Sequence, residues 1–240
     1  MHSFSDTRVQ ARLKAAAERG VVVRLLLHDA KKRERLSVSM ESAGIEVRYV
    51  SKVMHHKFAI IDGNKLLTGS CNWTRSAYAR NDEDLLVIVD EPDITTAYQL
   101  EFTSVWHHAK MFGNDDARYV ALRPVLEKAT SHVDVTFTSA NLIPTTYRGH
   151  PTFRTKNELP GVCGTRLIEA IRSAKSSIRI ASAHYGRHDL HVEILRTVHR
   201  GVKVQVLLGQ QEFDGESSDR TNALYDDALA LTNAEVRYKI

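Results

Sequence analysis

The chain alternates between stretches of helical and of extended periodicity. In residues 8–19, Val9, Leu13, Ala16 and Ala17 fall on one face at helical spacing, and Gly20 stops the pattern. Residues 21–27 are apolar at almost every position, which predicts a strand buried on both faces, as in a parallel sheet. Residues 32–43 predict a polar helix ended by Gly44, and residues 45–49 a second strand. Phe58–Ile61 is apolar and partly β-branched, Asp62-Gly63-Asn64 is a strong turn signal, and Leu66-Leu67-Thr68 restarts an extended run. A hairpin is expected there. Leu85–Val89 predicts another strand, and residues 93–109 a helix with Pro92 at an early position and Ile94, Ala97, Leu100 and Val105 apolar. Residues 119–130 suit a short helix or loop, and residues 133–138 alternate like a strand. Residues 140–164 hold three of the five prolines and predict an irregular connection. Residues 165–174 then read as a helix with Leu167, Ile168 and Ile171 on one face, followed by the strand Ser177–Ser182. Strands alternating with helices make this an α/β chain, with helices flanking a mixed sheet.

The pattern also repeats. Arg19-Gly20-Val21-Val22-Val23-Arg24-Leu25-Leu26-Leu27 is echoed by Arg200-Gly201-Val202-Lys203-Val204-Gln205-Val206-Leu207-Leu208. Ile45-Glu46-Val47-Arg48-Tyr49 is echoed by Ala234-Glu235-Val236-Arg237-Tyr238. Two related lobes are therefore expected, each incomplete. The first, residues 1–110, lacks a counterpart of the helix and strand at 165–182. The second, residues 165–240, stops where the first goes on to residues 55–72. Residues 111–164 would connect them. A fragment of a longer two-lobe protein is the reading this favours, with a short protein that completes itself by dimerising as the alternative.

Bulk composition narrows little. A length of 240 residues allows one large domain or two small ones, and 42% hydrophobic with 26% charged residues is ordinary for a globular protein. No apolar run approaches the ~18 residues of a transmembrane helix, and the first residues lack the apolar core of a signal peptide. The net charge of +4 suits an anionic substrate, lipid surface or nucleic acid, without choosing between them. Cys71 and Cys163 stand in no metal-ligand spacing, and no metal or other cofactor is expected.

Candidate chemistry is concentrated in residues 55–72, which reduce to H-x-K-x4-D-x6-G-S-x-N. Six specified positions over eighteen residues are more than an incidental polar hairpin would show. On a strand, His55 and Lys57 would share a face, setting an imidazole beside a fixed positive charge. His56 would face the other side, as a packing or surface residue. The small Gly69 and Ser70 allow close approach of backbone and substrate.

This segment resembles the HKD motif of the phospholipase D superfamily. Asn72-Trp73-Thr74 continues as in many members, and so does Asn81-Asp82-Glu83-Asp84 before the apolar run. The resemblance implies a phospholipase D fold and a phosphodiesterase that works through a phosphohistidine. His55 would be the nucleophile, a role suited to a neutral imidazole. Lys57 and Asn72 would hold non-bridging phosphate oxygens, Ser70 would add a hydroxyl, and Gly69 would line the substrate. Glu83 is the candidate to orient the imidazole, with Asp84 and Asp82 behind it. Asp62 belongs to the motif's catalytic set, although its place in the turn suits it to support the hairpin. His184 and His188 follow the second-lobe strand, where substrate-lining loops often occur.

The family mechanism uses two histidines, and this chain offers one motif. A twofold dimer pairing two copies of His55 would supply the second, or the second lobe of an intact parent protein would. Among substrates, phospholipid head groups are favoured over nucleic acid, because lysines and arginines do not cluster with interleaved aromatic residues. An endonuclease of the same superfamily, or a phosphate-binding module without turnover, is the alternative.

Overall fold

The computed structural model describes residues 3–28, 34–50, 54–111, 133–138, 142–147, 150–155, 161–182, 185–209 and 234–238. The expectations for residues 119–130 and for His184 lie outside them. The chain divides into two compact units, Met1–Val135 with Ile143–Arg154, and Thr136–Leu142 with Thr155–Ile240.

The first unit opens with helix α1 (Thr7–Glu18), capped by Asp6, whose carboxylate accepts the backbone N–H of Arg8 at 2.8 Å and of Val9 at 3.2 Å. Strand β1 (Arg24–His28), helix α2 (Glu34–Glu41) and strand β2 (Glu46–Val50) follow. β1 and β2 run parallel with Leu25 opposite Val47. Strand β6 (Lys110–Met111) adds to β2 in the antiparallel sense. β1 is buried on both faces, as its composition predicts. Leu25 and Leu27 join Phe4, Met40, Ile45, Val47 and Tyr49 under α1, while Leu26 joins Met54, Val105 and Trp106 on the other side.

The strand begins three residues later than expected. Backbone N–H groups of Gly20 and Val21 close the last turn of α1 onto Ala17 and Ala16, so these residues are spent on ending the helix. Val22 is left 81% exposed.

A second, antiparallel sheet carries the motif. Strands β3 (Phe58–Ile61), β4 (Lys65–Gly69) and β5 (Leu85–Val89) lie in that order, with the short helix α3 (Arg75–Ala79) between β4 and β5. Asp62 and Gly63 have φ of 52° and 72°, and Asn64 N–H bonds back to Ile61 C=O. Positive φ at both central positions is the signature of a type I′ turn, which fits the twist of a hairpin. Helix α4 (Pro92–His108) starts with proline in its first turn, as expected, and packs Tyr98 and Phe102 against Phe58.

Residues 133–138 form no strand despite their alternation; no neighbouring strand pairs with them among the described residues. Residues 140–164 are more regular than expected. They contain the two-stranded sheet of β7 (Leu142–Tyr147) and β8 (His150–Thr155) and the start of helix α5 (Gly161–Ser173). Each of these strands carries a proline, which a two-stranded sheet tolerates because every strand in it is an edge.

In the second unit α5 leads to strand β9 (Ser177–Ser182), helix α6 (His188–His199), strand β10 (Lys203–Leu208) and strand β11 (Glu235–Tyr238). All three strands are parallel, in the order β11-β10-β9. The sequence repeat is carried into the pairing itself. Arg24 faces Glu46 and Leu27 faces Tyr49 in the first unit; Gln205 faces Glu235 and Leu208 faces Tyr238 in the second. Glu46 is ion-paired with Arg48, as Glu235 is with Arg237. The whole is an α/β protein of small sheets flanked by helices. No described helix is long and apolar enough to cross a membrane.

Candidate active site

Antiparallel pairing gathers the motif at one end of the β3-β4-β5 sheet. Phe58 lies opposite Thr68, and Gly69 opposite Leu85. The residues just before β3, just after β4 and just before β5 therefore come out together: His55 to Lys57, Ser70 to Asn72, and Glu83 with Asp84. Asp62 goes to the opposite end, about 16 Å along the strand direction from Lys57 at roughly 3.3 Å per residue.

His55 and Lys57 lie ahead of β3 rather than within it, a correction to the strand reading. The extended segment still places them together. Lys57 is only 6% exposed, and its Nζ stands 2.9 Å from each His55 ring nitrogen and 2.9 Å from His55 C=O. An ammonium is a pure donor, so the nitrogen that accepts from it is unprotonated. Electrostatics agree. Burial, the Lys57 charge and then His56 hold the His55 imidazole below its ordinary pKa, so it is neutral near pH 7. Burial pushes the Lys57 ammonium down as well, and the Glu83 carboxylate offsets part of that.

Around this pair, Glu83 accepts the Ser70 hydroxyl at 2.5 Å and the Asn81 amide at 3.0 Å. Ser70 Oγ in turn accepts Asp84 N–H at 3.0 Å. Glu83 thus directs its oxygens at Ser70 and Asn81 and its field at Lys57. Asn72 is braced from the N-terminal segment: its Oδ1 accepts Ser3 N–H at 3.2 Å, and Trp73 exchanges backbone bonds with Ser3, Ser5 and Asp6. With the amide oxygen so engaged, the amide nitrogen is the end turned to donate. Gly69 has φ of 147° and presses against the Asp84 backbone, so its small size serves the β4–β5 approach. Burial, with Glu83 and Asp84, pushes the Cys71 thiol up and makes it inert. Among the described residues no cluster of three His, Cys, Asp or Glu side chains is placed to hold a metal ion.

A family described as "Cardiolipin synthase, PLD-like domain" matches residues 1–106, the stretch that contains all of these groups. Residues 1–106 therefore form a phospholipase D-like domain. Among similar proteins, the mitochondrial cardiolipin hydrolase of Danio rerio is 35% identical over 113 residues, covering 43% of this chain and 48% of that protein. A phospholipase D of Rickettsia bellii is 38% identical over 96 residues, covering 38% and 48% respectively. The chain thus spans about half the length of these relatives. Polyphosphate kinase from Porphyromonas gingivalis shares the fold over 87% of this chain and 32% of its own, with a TM-score of 0.51 at 17% identity.

Sequence reasoning passed over one phospholipase D-domain residue that touches the motif. Glu101 of α4 is 5% exposed and lies 3.3 Å from His56 Nε2. A signal was present: Glu101 falls on the buried stripe of Ile94, Ala97 and Val105, where a carboxylate needs a partner. The Ser3 contact to Asn72, across 69 residues, left no such trace.

Proposed function

We propose that this chain is a phospholipase D-type phosphodiesterase that hydrolyses or transfers phospholipid head groups through His55. The observation that carries this reading is the His55 imidazole held 2.9 Å from a buried ammonium, inside a phospholipase D-like domain. The relatives' names, cardiolipin hydrolase and phospholipase D, support a phospholipid as substrate. In the resting arrangement Lys57 caps the imidazole lone pair. A bound phosphodiester offers Lys57 a charged oxygen instead, and its move there frees the lone pair beside the phosphorus. Asn72 Nδ2 is the further donor for a non-bridging oxygen, while the Ser70 hydroxyl, bonded to Glu83, braces the end of the sheet beside it. Asp62, at the far end of the hairpin, acts by fixing the turn.

The chemistry then has two halves. The imidazole lone pair forms an N–P bond as the bond from phosphorus to the leaving oxygen breaks, and that oxygen takes a proton from an acid. Water, or an alcohol in transfer, gives its proton to the same group and attacks phosphorus. The N–P bond breaks and His55 is again neutral. The acid–base group is a second histidine, protonated when the first is neutral, and we assign it to His55 of a second copy across a twofold axis, the two rings sharing one proton at the bound phosphate. Residues 1–110 are read as the lobe bearing the motif and 165–240 as the first half of a related lobe.

The test is hydrolysis of a chromogenic phosphodiester and of cardiolipin vesicles by the protein and by His55→Ala, with molar mass measured on the same samples. The expected result is turnover that falls about 10³-fold or more in the variant. Cleavage of single-stranded nucleic acid without any lipid turnover would replace this reading with a nuclease, and phosphate binding without turnover of either would leave a binding module.

A further inference from the structure

We propose that Glu101 and His56 form a positioning pair that fixes the segment bearing His55 and Lys57 against helix α4. The inference rests on the phosphodiesterase reading of that segment. Alternation along an extended chain turns residues 56 and 58 to one side and residues 55 and 57 to the other. The rear side is held at both points. His56 Nε2 meets Glu101 Oε1 at 3.3 Å, and its ring lies edge-on to Phe58 with centroids 5.6 Å apart. Phe58 in turn meets Tyr98 at 5.0 Å and Phe102 at 6.4 Å, both also from α4. The Tyr98 hydroxyl reaches Thr68 on β4 at 3.1 Å, so the same helix face also grips the partner strand. Between these two anchors the front side is left to carry Lys57 Nζ to the His55 ring.

A contact of 2.9 Å between two flexible side chains is only as well defined as the backbone beneath it. Packing by Phe58 fixes one end of a three-residue segment. The contact between His56 and Glu101 fixes the other, next to the nucleophile. A carboxylate at 5% exposure is an expensive way to fill space, and its retention beside His56 is explained by direction, which an apolar side chain would not supply. His56 also adds to the charges that keep His55 unprotonated.

The experiment records imidazole ring-nitrogen NMR signals of His55 in the full chain, with Lys57→Met marking the position when the contact is lost. In Glu101→Leu and in His56→Phe, which keeps an aromatic ring against Phe58, the His55 signals should move to the Lys57→Met position. Glu101→Gln keeps the acceptor oxygen and should stay at the wild-type position. Hydrolysis by the first two variants should fall between about 10- and 100-fold in kcat, with KM changed less than about twofold. If either Glu101→Leu or His56→Phe leaves the His55 signals at the wild-type position, the pair does not position the segment. Should Glu101→Leu fail to fold, His56→Phe decides by the same criterion. If the wild-type protein turns over no phosphodiester, the functional reading fails while the NMR comparison still decides this one.

Discussion

The contact between Lys57 and His55 makes a statement about pH. Burial first, then Lys57, then His56 lowers the affinity of His55 for a proton below that of a free imidazole with pKa 6.5. The nucleophilic neutral form therefore persists below pH 6.5 and is lost as pH falls through the lowered value. The acid limb of kcat/KM should lie below pH 6.5 in the wild-type protein. In Lys57→Met one cause is removed while burial remains, so the limb should move up part of the way towards 6.5 as the rate itself falls. Rate profiles of the two proteins between about pH 4 and 8 check this, and coincident limbs would sink it. How much of this was legible follows from the chemistry of single residues. The identities of His55, Lys57 and Asn72 could be read because they stand at the spacing of the motif the segment resembles, whose two halves the β3–β4 hairpin folds together. That Lys57 is the more deeply covered of the two could not, because two residues on one face of an extended segment give no sign of which lies deeper.

Elements were legible where a local signal fixes the backbone. The hairpin was, since few residues other than Asp-Gly would accept positive φ at both turn positions. The start of β1 was not, because three valines suit a strand equally well whether or not the preceding helix needs the first of them for its own ending. Nor was the two-stranded sheet of β7 and β8, whose prolines read as breakers when the strands are edges. The two glycines of the motif sheet show how local and tertiary demands differ. Gly63 sits in the exposed turn with φ of 72° and nothing within 4 Å of an added Cβ. Gly63→Ala should cost about 1 kcal/mol, the penalty of a left-handed residue alone. At Gly69 an added Cβ would overlap the Asp84 carbonyl and lie 2.8 Å from Asp84 Oδ2, on a backbone with φ of 147°. Gly69→Ala should cost about 3 kcal/mol or more, because strain and overlap add and the obstacle is backbone. Urea unfolding of both variants measures the difference. Equal losses would mean that β4 and β5 part easily and that the end of the sheet where the motif gathers is soft.

At the scale of the molecule, the repeat was visible as sequence and reappears as a matched register of parallel strands. Residues 1–240 hold one copy of the motif, and the proposed reaction needs both a nucleophile and an acid. Strand β5, in the same sheet as the site, supports a second copy as the source. Leu85, Leu86, Val87 and Val89 are between 46% and 57% exposed, an apolar edge of the kind proteins usually cover. If two copies of His55 share one phosphodiester, activity belongs to pairs of chains and has a dependence that a self-sufficient chain lacks. Dilution through the dissociation range should lower activity per chain in step with the mass measured by light scattering. Mixing wild-type protein with an equal amount of His55→Ala and allowing exchange should lower activity per wild-type chain to about one half, because random pairing leaves half of those chains with an inactive partner. A chain that works alone would keep its full activity in the mixture. The acid would then have to be sought among this chain's other histidines rather than in its copy.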